Sequence, residues 1–254
     1  MANEIILETR NLRREFGALV AVADVSVKVK AGSFHSIIGP NGAGKTTFFN
    51  LLSGNLAPTS GQVFYKGEDI TRLPVHRTVH KGIGRSFQIT NIFPNLTVLE
   101  NIRLASQALG NDNFKLFRSY RAYPRYEQRA WQVIEQVGLA ERALFLARTL
   151  PHGDQRKLEV GMILAPDPEV LLLDEPTAGM ASEQVPELMA LIREIQAAGD
   201  KTIMLVEHNM NVVMNVSDTI TVMHYGEVLA EGSPQEISAN ETVQKAYLGA
   251  LYQT

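Results

Sequence analysis

The sequence predicts an α/β fold: a mostly parallel β-sheet, an antiparallel β unit towards the N-terminus and a helical block inserted between. Three observations predict it. Val170–Leu173 and Thr202–Val206 are short, continuously apolar runs, as in strands of a parallel sheet covered on each face. Residues 5–9 and 20–30 alternate, as in half-exposed strands. From about Asn91 to Ala165 the pattern is mainly helical.

The elements come in this order. Gly17 and Gly32 mark turns around the alternating segments. Ser33–Ile38 is a strand, and Lys45–Ser53 a helix closed by Gly54. Residues 62–65 form a short strand between Gly61 and Gly67. Glu127–Val137 is a helix stopped by Gly138, and Asp154–Leu164 a second with Leu158, Gly161, Met162 and Ala165 on one side. Pro166 and Pro168 end it. Between the two apolar strands lies a helix with Val185, Leu188, Met189, Ile192 and Ile195 on one face, closed by Gly199. A hairpin, Thr219–Met223 with Glu227–Ala230, turns at Tyr225-Gly226, and a short helix lies near 234–247. Alternation of strand and helix at each end is the pattern of a parallel α/β sheet.

The bulk composition narrows the function. The chain has 254 residues, 45% of them hydrophobic, enough for a sizeable core. The net charge of -3, without a long basic block, argues against a general nucleic-acid binder. With no cysteine, disulfides and thiolate-bound metals are excluded. The start, MANEIILETR, lacks the pattern of a signal peptide, and no apolar run approaches the length of a membrane span. A soluble, cytoplasmic chain that can dock on a membrane protein is expected.

Gly39-Pro40-Asn41-Gly42-Ala43-Gly44-Lys45-Thr46 matches G-x-x-x-x-G-K-[ST], and Thr47 completes the segment. Its glycines let successive N–H groups curl towards phosphate oxygens. The helix that starts near Lys45 adds its positive end. Lys45 should reach the β- and γ-phosphates, and Thr46 should ligate Mg²⁺, which prefers oxygen. The strand Val170–Leu173 runs into Asp174-Glu175. In P-loop ATPases an acid at this point meets the Mg²⁺ shell, the role given to Asp174. Glu175 can orient or deprotonate the attacking water. His208 ends the other apolar strand, where α/β proteins bind ligands, and can donate a hydrogen bond to the γ-phosphate.

These pieces, in this order, resemble the ATP-binding subunit of an ABC transporter over nearly the whole chain. The resemblance implies a P-loop NTPase (RecA-like) core, with residues 1–254 as a single ATP-binding domain. Residues 1–90 and 166–254 then form the nucleotide-binding core and β subdomain, and 91–165 the helical subdomain. Phe16 looks like the aromatic that stacks on adenine. Gln88 looks like the glutamine that touches Mg²⁺ and relays movement to membrane subunits. Leu150-Pro151-His152-Gly153-Asp154-Gln155 stands in the place of the LSGGQ signature, which caps the γ-phosphate bound to a partner subunit. Ala178-Gly179-Met180-Ala181 sits where the D-loop belongs. Gly82–Gln88, Phe93, Leu96-Thr97-Val98, Glu100-Asn101, His152–Glu159, Val206–Met210 and Ala246–Gly249 resemble the branched-chain amino acid uptake branch. Urea and short-chain amide importers share several of these, including Gly179-Met180.

Pro151 and Ala181 depart from the family pattern, and Asp154 brings a negative charge towards phosphate. Lys45, Asp174, Glu175 and His208 are all present. The resemblance thus implies a hydrolytic site on this chain's P-loop, completed by a different partner's signature, and a slower site on its own signature. Implied partners are a second ATP-binding subunit in a heterodimer, two transmembrane permeases and, through them, a periplasmic substrate-binding protein. ATP and Mg²⁺ are the implied ligands, and the expected location is peripheral, at the cytoplasmic face of the inner membrane.

Asn111–Arg129 interleaves Lys115, Arg118, Arg121, Arg125 and Arg129 with Phe114, Phe117, Tyr120, Tyr123 and Tyr126. A membrane-subunit or lipid contact, or a solvated face, is favoured there over nucleic acid. Rival classes fit less well. No N-K-x-D motif of a GTPase occurs. A kinase leaves the signature-like segment unexplained. Only 129 positions separate Lys45 from Asp174, too few for the coiled coil of a chromosome-maintenance ATPase, and a translation-type protein would carry two cassettes. A non-hydrolysing regulatory subunit remains as the alternative to the enzyme.

Overall fold

A computed structural model describes residues 4–86, 92–110, 124–199 and 201–251. In chain order the strands are β1 (Ile5–Phe16), β2 (Leu19–Val25), β3 (Lys28–Lys30), β4 (Phe34–Ile38), β5 (Ser60–Tyr65), β6 (Glu68–Asp69), β7 (Ile83–Arg85), β8 (Val170–Asp174), β9 (Thr202–Val206), β10 (Thr219–His224) and β11 (Glu227–Gly232). The helices are α1 (Lys45–Leu52), α2 (Val75–Lys81), α3 (Val98–Gln107), α4 (Pro124–Gln136), α5 (His152–Leu164), α6 (Val185–Gly199), α7 (Met210–Val216), α8 (Pro234–Ala239) and α9 (Glu241–Leu251).

Among the described residues two sheets form. One runs β11-β10-β4-β9-β8-β7, parallel except for its edge strand β11. The other is antiparallel and built on β1, which pairs with β2, β3 and β5. The apolar runs are covered on each face, and their side chains divide with period two. Leu171, Leu173, Ile203 and Leu205 join Ile102, Val133 and Leu158 of the helical block in one core. Val170, Leu172, Met204 and Val206 join Leu7, Val22, Phe48 and Phe49 in another. The parallel sheet is therefore clamped between helices and the antiparallel sheet.

Some elements differ from the sequence expectation. β1 continues to Phe16 rather than stopping near residue 9. The polar stretch Thr9–Glu15 hides it, because side chains replace ladder bonds at the irregularity. Thr9 Oγ1 donates to Val25 O (3.0 Å) and accepts from Val27 N–H (2.9 Å). Asn11 Nδ2 donates to Asp24 Oδ1 (2.7 Å), and each of these residues takes the positive φ that Asn and Asp tolerate. The single segment expected over 20–30 breaks at Ser26-Val27 into β2 and β3. The C-terminal helix is likewise two helices, parted at Asn240, whose side chain caps the second by accepting from Thr242 N–H (2.9 Å).

Helices α3 and α7 have no individual counterpart in the sequence expectation, yet their caps are local. Thr97 Oγ1 accepts from Glu100 N–H (3.1 Å), and Asn209 Oδ1 from Asn211 N–H (3.1 Å). Three-residue β7 contains Gly84, where a Cβ would lie 2.8 Å from Ile163 of α5. Buried His35 Nε2 meets Thr221 Oγ1 at 2.8 Å, and burial pushes its pKa down to about 4, so the imidazole between β4 and β10 is neutral at pH 7. No helix among the described residues is long and apolar enough to cross a membrane.

Candidate functional site

The register of the parallel sheet assembles the site. Asp174 pairs with Val206, and Val206 with Ile37. The ends of β4, β9 and β8 therefore lie abreast. The segments that leave them, Gly39–Thr47, Glu207-His208 and Glu175-Pro176-Thr177, share one edge of the sheet. This is the carboxyl edge, where open α/β sheets receive ligands.

The Gly39–Thr47 loop is held from outside by the β10–β11 turn. Gly226 N–H donates to Ala43 O (3.1 Å), and Gly226 O accepts from Ala23 N–H (2.7 Å). Strand β10 itself passes so close that a Cβ on Gly39 would lie 2.2 Å from Met223 O. Gly44 has φ +96° as it enters α1, and a Cβ there would lie 2.2 Å from Ala21 O. Lys45 is buried, and its Nζ donates to Gly39 O (2.7 Å) and Pro40 O (3.1 Å), filling the loop with its own ammonium. Burial pulls its pKa below the lysine range, opposed by the charges of Glu175 and Asp174. Asn41 and Gly42 are exposed, and Thr46 and Thr47 partly so. The arrangement offers a charged, backbone-lined cradle for an anion.

Asp174 lies beneath it. Its Oδ2 is 3.4 Å from Arg85 Nη2, while Oδ1 is buried with no hydrogen-bond partner among the described residues. Burial raises its pKa, with Arg85 opposing and Glu175 adding to the rise. Arg85 also donates to Asn50 Oδ1 (2.8 Å) and Ser53 Oγ (2.7 Å), tying β7 to α1. Asp174 N–H donates to Ser86 Oγ (2.9 Å). Glu175 adopts φ +49°, left-handed and uncommon for a residue with a side chain, and its N–H donates to Val206 O (2.9 Å). His208 is 65% exposed at its side chain, next to fully buried Glu207.

Phe16 is 44% exposed, with the Arg14 guanidinium 4.6 Å from its ring centroid. Gln88, and most of the basic aromatic segment, lie outside the described residues.

Leu150–Gln155 leads into α5, whose first residue is His152. Pro151 is its N-cap, in extended conformation and without a side-chain cap. Gln155 N–H donates to Pro151 O (3.0 Å), so the amides of His152, Gly153 and Asp154 form the open helix end. The Asp154 charge does not stand alone: its carboxylate pairs with Arg142 and lies 3.8 Å from Lys157 Nζ. Arg156 Nη2 donates to Ala178 O (2.9 Å), joining this helix to the Ala178–Ala181 segment, and His152 lies against Gly179. A cleft of about 560 Å³ opens here, lined by Pro151, Gly153, Asp154 and Met180 among others. A second, about 550 Å³, runs from Gly179 and Met180 to His208 and Asn209.

Sequence reasoning missed Arg85, Arg14, Arg142 and Glu207 as parts of the site. Arg85 and Glu207 carried a weak signal: each is a charge within or just after a strand whose neighbours are buried.

The comparisons agree with this geometry. Residues 22–178 match the family model "ABC transporter", and 227–251 match "Branched-chain amino acid ATP-binding cassette transporter". A high-affinity branched-chain amino acid transport ATP-binding protein of Pseudomonas aeruginosa, BraF, is 42% identical over 250 residues, covering 96% of this chain and 98% of its own. The ADP conformation of an ATP-binding cassette of an ABC transporter superposes with TM-score 0.83 at 28% identity, covering 96% of this chain and 99% of that one. A dimeric cassette in a post-hydrolysis state, bound to ADP and Pi, gives TM-score 0.76 at 26% identity, covering 90% and 99%. This chain belongs to the ABC transporter family, as one of its ATP-binding cassettes.

Proposed function

We propose that the chain binds ATP at Gly39–Thr47 and hydrolyses it as the ATP-driven subunit of an importer for branched-chain amino acids. The observation that carries this is the meeting of Lys45, Asp174, Glu175 and His208 at the ends of three neighbouring strands. The substrate class is supported by the match over 227–251 and by the role in the name of the Pseudomonas aeruginosa relative.

The reaction is ATP and water to ADP and phosphate. Backbone N–H groups of the loop and the Lys45 ammonium bind the β- and γ-phosphates, replacing the bonds Lys45 makes to Gly39 O and Pro40 O. Glu175 orients the attacking water and accepts its proton as the new P–O bond forms and the bond to the β-phosphate oxygen breaks. His208 donates a hydrogen bond to the γ-phosphate. Positioning and charge stabilisation supply most of the catalysis. The partnerless Asp174 oxygen fits a hydrated divalent cation, so Asp174 with Thr46, and Gln88 by resemblance, would hold Mg²⁺. When bound, it neutralises phosphate charge.

Phe16 stacks on the adenine through its exposed ring, beside Arg14. Phe16→Ala is expected to weaken ATP binding about 5- to 100-fold, the loss of one base–aromatic stack, with kcat nearly unchanged. Equilibrium titration with a fluorescent ATP analogue measures it.

Residues 1–90 and 166–254 serve as the nucleotide-binding core and 91–165 as the helical subdomain that meets the membrane subunits. A second ATP-binding subunit completes the site with its own signature, and two permeases and a periplasmic binding protein complete the importer. The chain then sits at the cytoplasmic face of the inner membrane without crossing it. Purification from membranes, followed by ATPase assay with the co-purifying binding protein, tests this. Stimulation by that protein loaded with leucine, isoleucine or valine is expected. Stimulation by urea or a short-chain amide instead, or no hydrolysis, overturns it.

A further inference from the structure

We propose that Glu207 is a positioning residue of the hydrolytic site, its buried carboxylate clamping the turn that carries Glu175 to the backbone that carries His208. The inference rests on the roles proposed above for Glu175 and His208.

Glu207 is fully buried, a rare state for a carboxylate without a strong reason. No lysine or arginine among the described residues pairs with it; its ion-pair neighbour is His208 Nδ1 at 3.8 Å. Its oxygens are instead spent on two flanking segments. Oε1 accepts from Thr177 N–H (3.2 Å) and from the Thr177 hydroxyl. Oε2 accepts from the N–H of His208 (3.1 Å). Burying a carboxyl group is costly, and an apolar residue of similar volume fills such a place at lower cost. What an apolar residue cannot do is hold three donors from two strand ends in one geometry.

Those two ends carry the chemistry. β8 continues into Glu175-Pro176-Thr177, and β9 into Glu207-His208. One backbone bond, Glu175 N–H to Val206 O at 2.9 Å, joins them before Glu175. The Glu207 carboxylate joins them again after it, at Thr177. Glu175 is thereby tied on each side while it holds φ +49°. Such a backbone state persists only where its surroundings over-determine it. Stiff Pro176 passes the Thr177 restraint back to Glu175. On the other strand, His208 is largely exposed, and the Oε2 bond fixes the backbone from which its ring projects.

Glutamine cannot replace this. An amide oxygen facing Thr177 leaves the amide nitrogen facing the His208 N–H, two donors together. Flipped, it leaves the Thr177 N–H without an acceptor. The full-length chain, in the complex in which it purifies, is the material for the test. Steady-state and single-turnover ATPase and the Kd of an ATP analogue are measured for wild type, Glu207→Gln, His208→Ala, Glu175→Gln and the Glu207→Gln/His208→Ala double variant. Glu207→Gln is expected to lower kcat about 10- to 100-fold, with the Kd for ATP within about threefold of wild type. The double variant should lose at least about fivefold less than the product of the two single losses, because one acts through the other. Thr177→Val, which removes only the hydroxyl donor, should lower kcat in the same direction by a smaller factor. It carries the test if Glu207→Gln does not fold.

Wild-type kcat in Glu207→Gln, a parallel rise in Kd, or a fully multiplicative double variant overturns the proposal. Wild-type kcat in His208→Ala and Glu175→Gln overturns instead the catalytic reading on which it rests.

Discussion

Glu175→Gln is expected to lower kcat for ATP hydrolysis by about 10²- to 10⁴-fold while ATP stays bound, the range for loss of a positioned general base. The substitution keeps the side chain's size, so the left-handed turn at residue 175 and its bond to Val206 O have no reason to change. In the proposed site the affinity for ATP comes from other groups: the loop amides, Lys45 and Phe16. What is lost is the acceptor for the water's proton, which matters in the transition state and little in the ground state. Phosphate release and equilibrium binding, measured on one preparation, separate the two. A parallel loss of affinity would place Glu175 in nucleotide binding instead.

Lys45→Ala is expected to do the opposite, raising the Kd for ATP about 10²-fold or more. Lys45 Nζ donates two hydrogen bonds to the loop's own carbonyls at 2.7 and 3.1 Å, and it is buried among loop and carboxylates. Exchange of those carbonyls for phosphate oxygens sets an ionised acceptor against the ionised donor, in bonds each worth about 1.5–3 kcal/mol. Alanine supplies neither the charge nor the donors. It also removes one of the cations that offset Asp174 and Glu175, leaving Arg85 beside Asp174, which disfavours an added polyanion. Calorimetric titration with ATP measures the change; affinity within about a factor of three of wild type would contradict the assignment.

The fold was legible where periodicity is strong. The apolar runs at 170–173 and 202–206 could only be strands covered on each face, and period-two division of their side chains between two cores explains why they lack alternation. β1 was half legible, since Thr9 and Asn11 replace ladder bonds with side-chain bonds and so read as loop. In the site, residues recognised by type and spacing were legible: the glycines and Lys45, the acids closing β8, the histidine after β9. Their supports were not. Arg85 meets Asp174 across 89 positions, and Glu207 meets Thr177 across 30, pairings that no local pattern records. Asp154 illustrates the same limit: its charge reads as a defect in the signature segment until Arg142 is found beside it.

That pairing bears on the proposed asymmetry between this chain's site and a partner cassette's. With Asp154 engaged by Arg142 and Lys157, the end of α5 can still present the amides of His152, Gly153 and Asp154 to a partner's nucleotide. Pro151, which has no N–H, and Ala181, where the D-loop is expected, remain departures from the family pattern. Hydrolysis is therefore expected to be concentrated at the P-loop of this chain.

The most direct measurement compares two single substitutions in the purified complex: Glu175→Gln in this chain, and the matching glutamate-to-glutamine change in the partner cassette. ATP-driven uptake of a branched-chain amino acid into vesicles is the readout. Glu175→Gln alone should stop uptake, while the partner's change should leave measurable transport. Loss of uptake with the partner's change only, and near-normal uptake with Glu175→Gln, would show that the working site lies elsewhere than at this chain's P-loop.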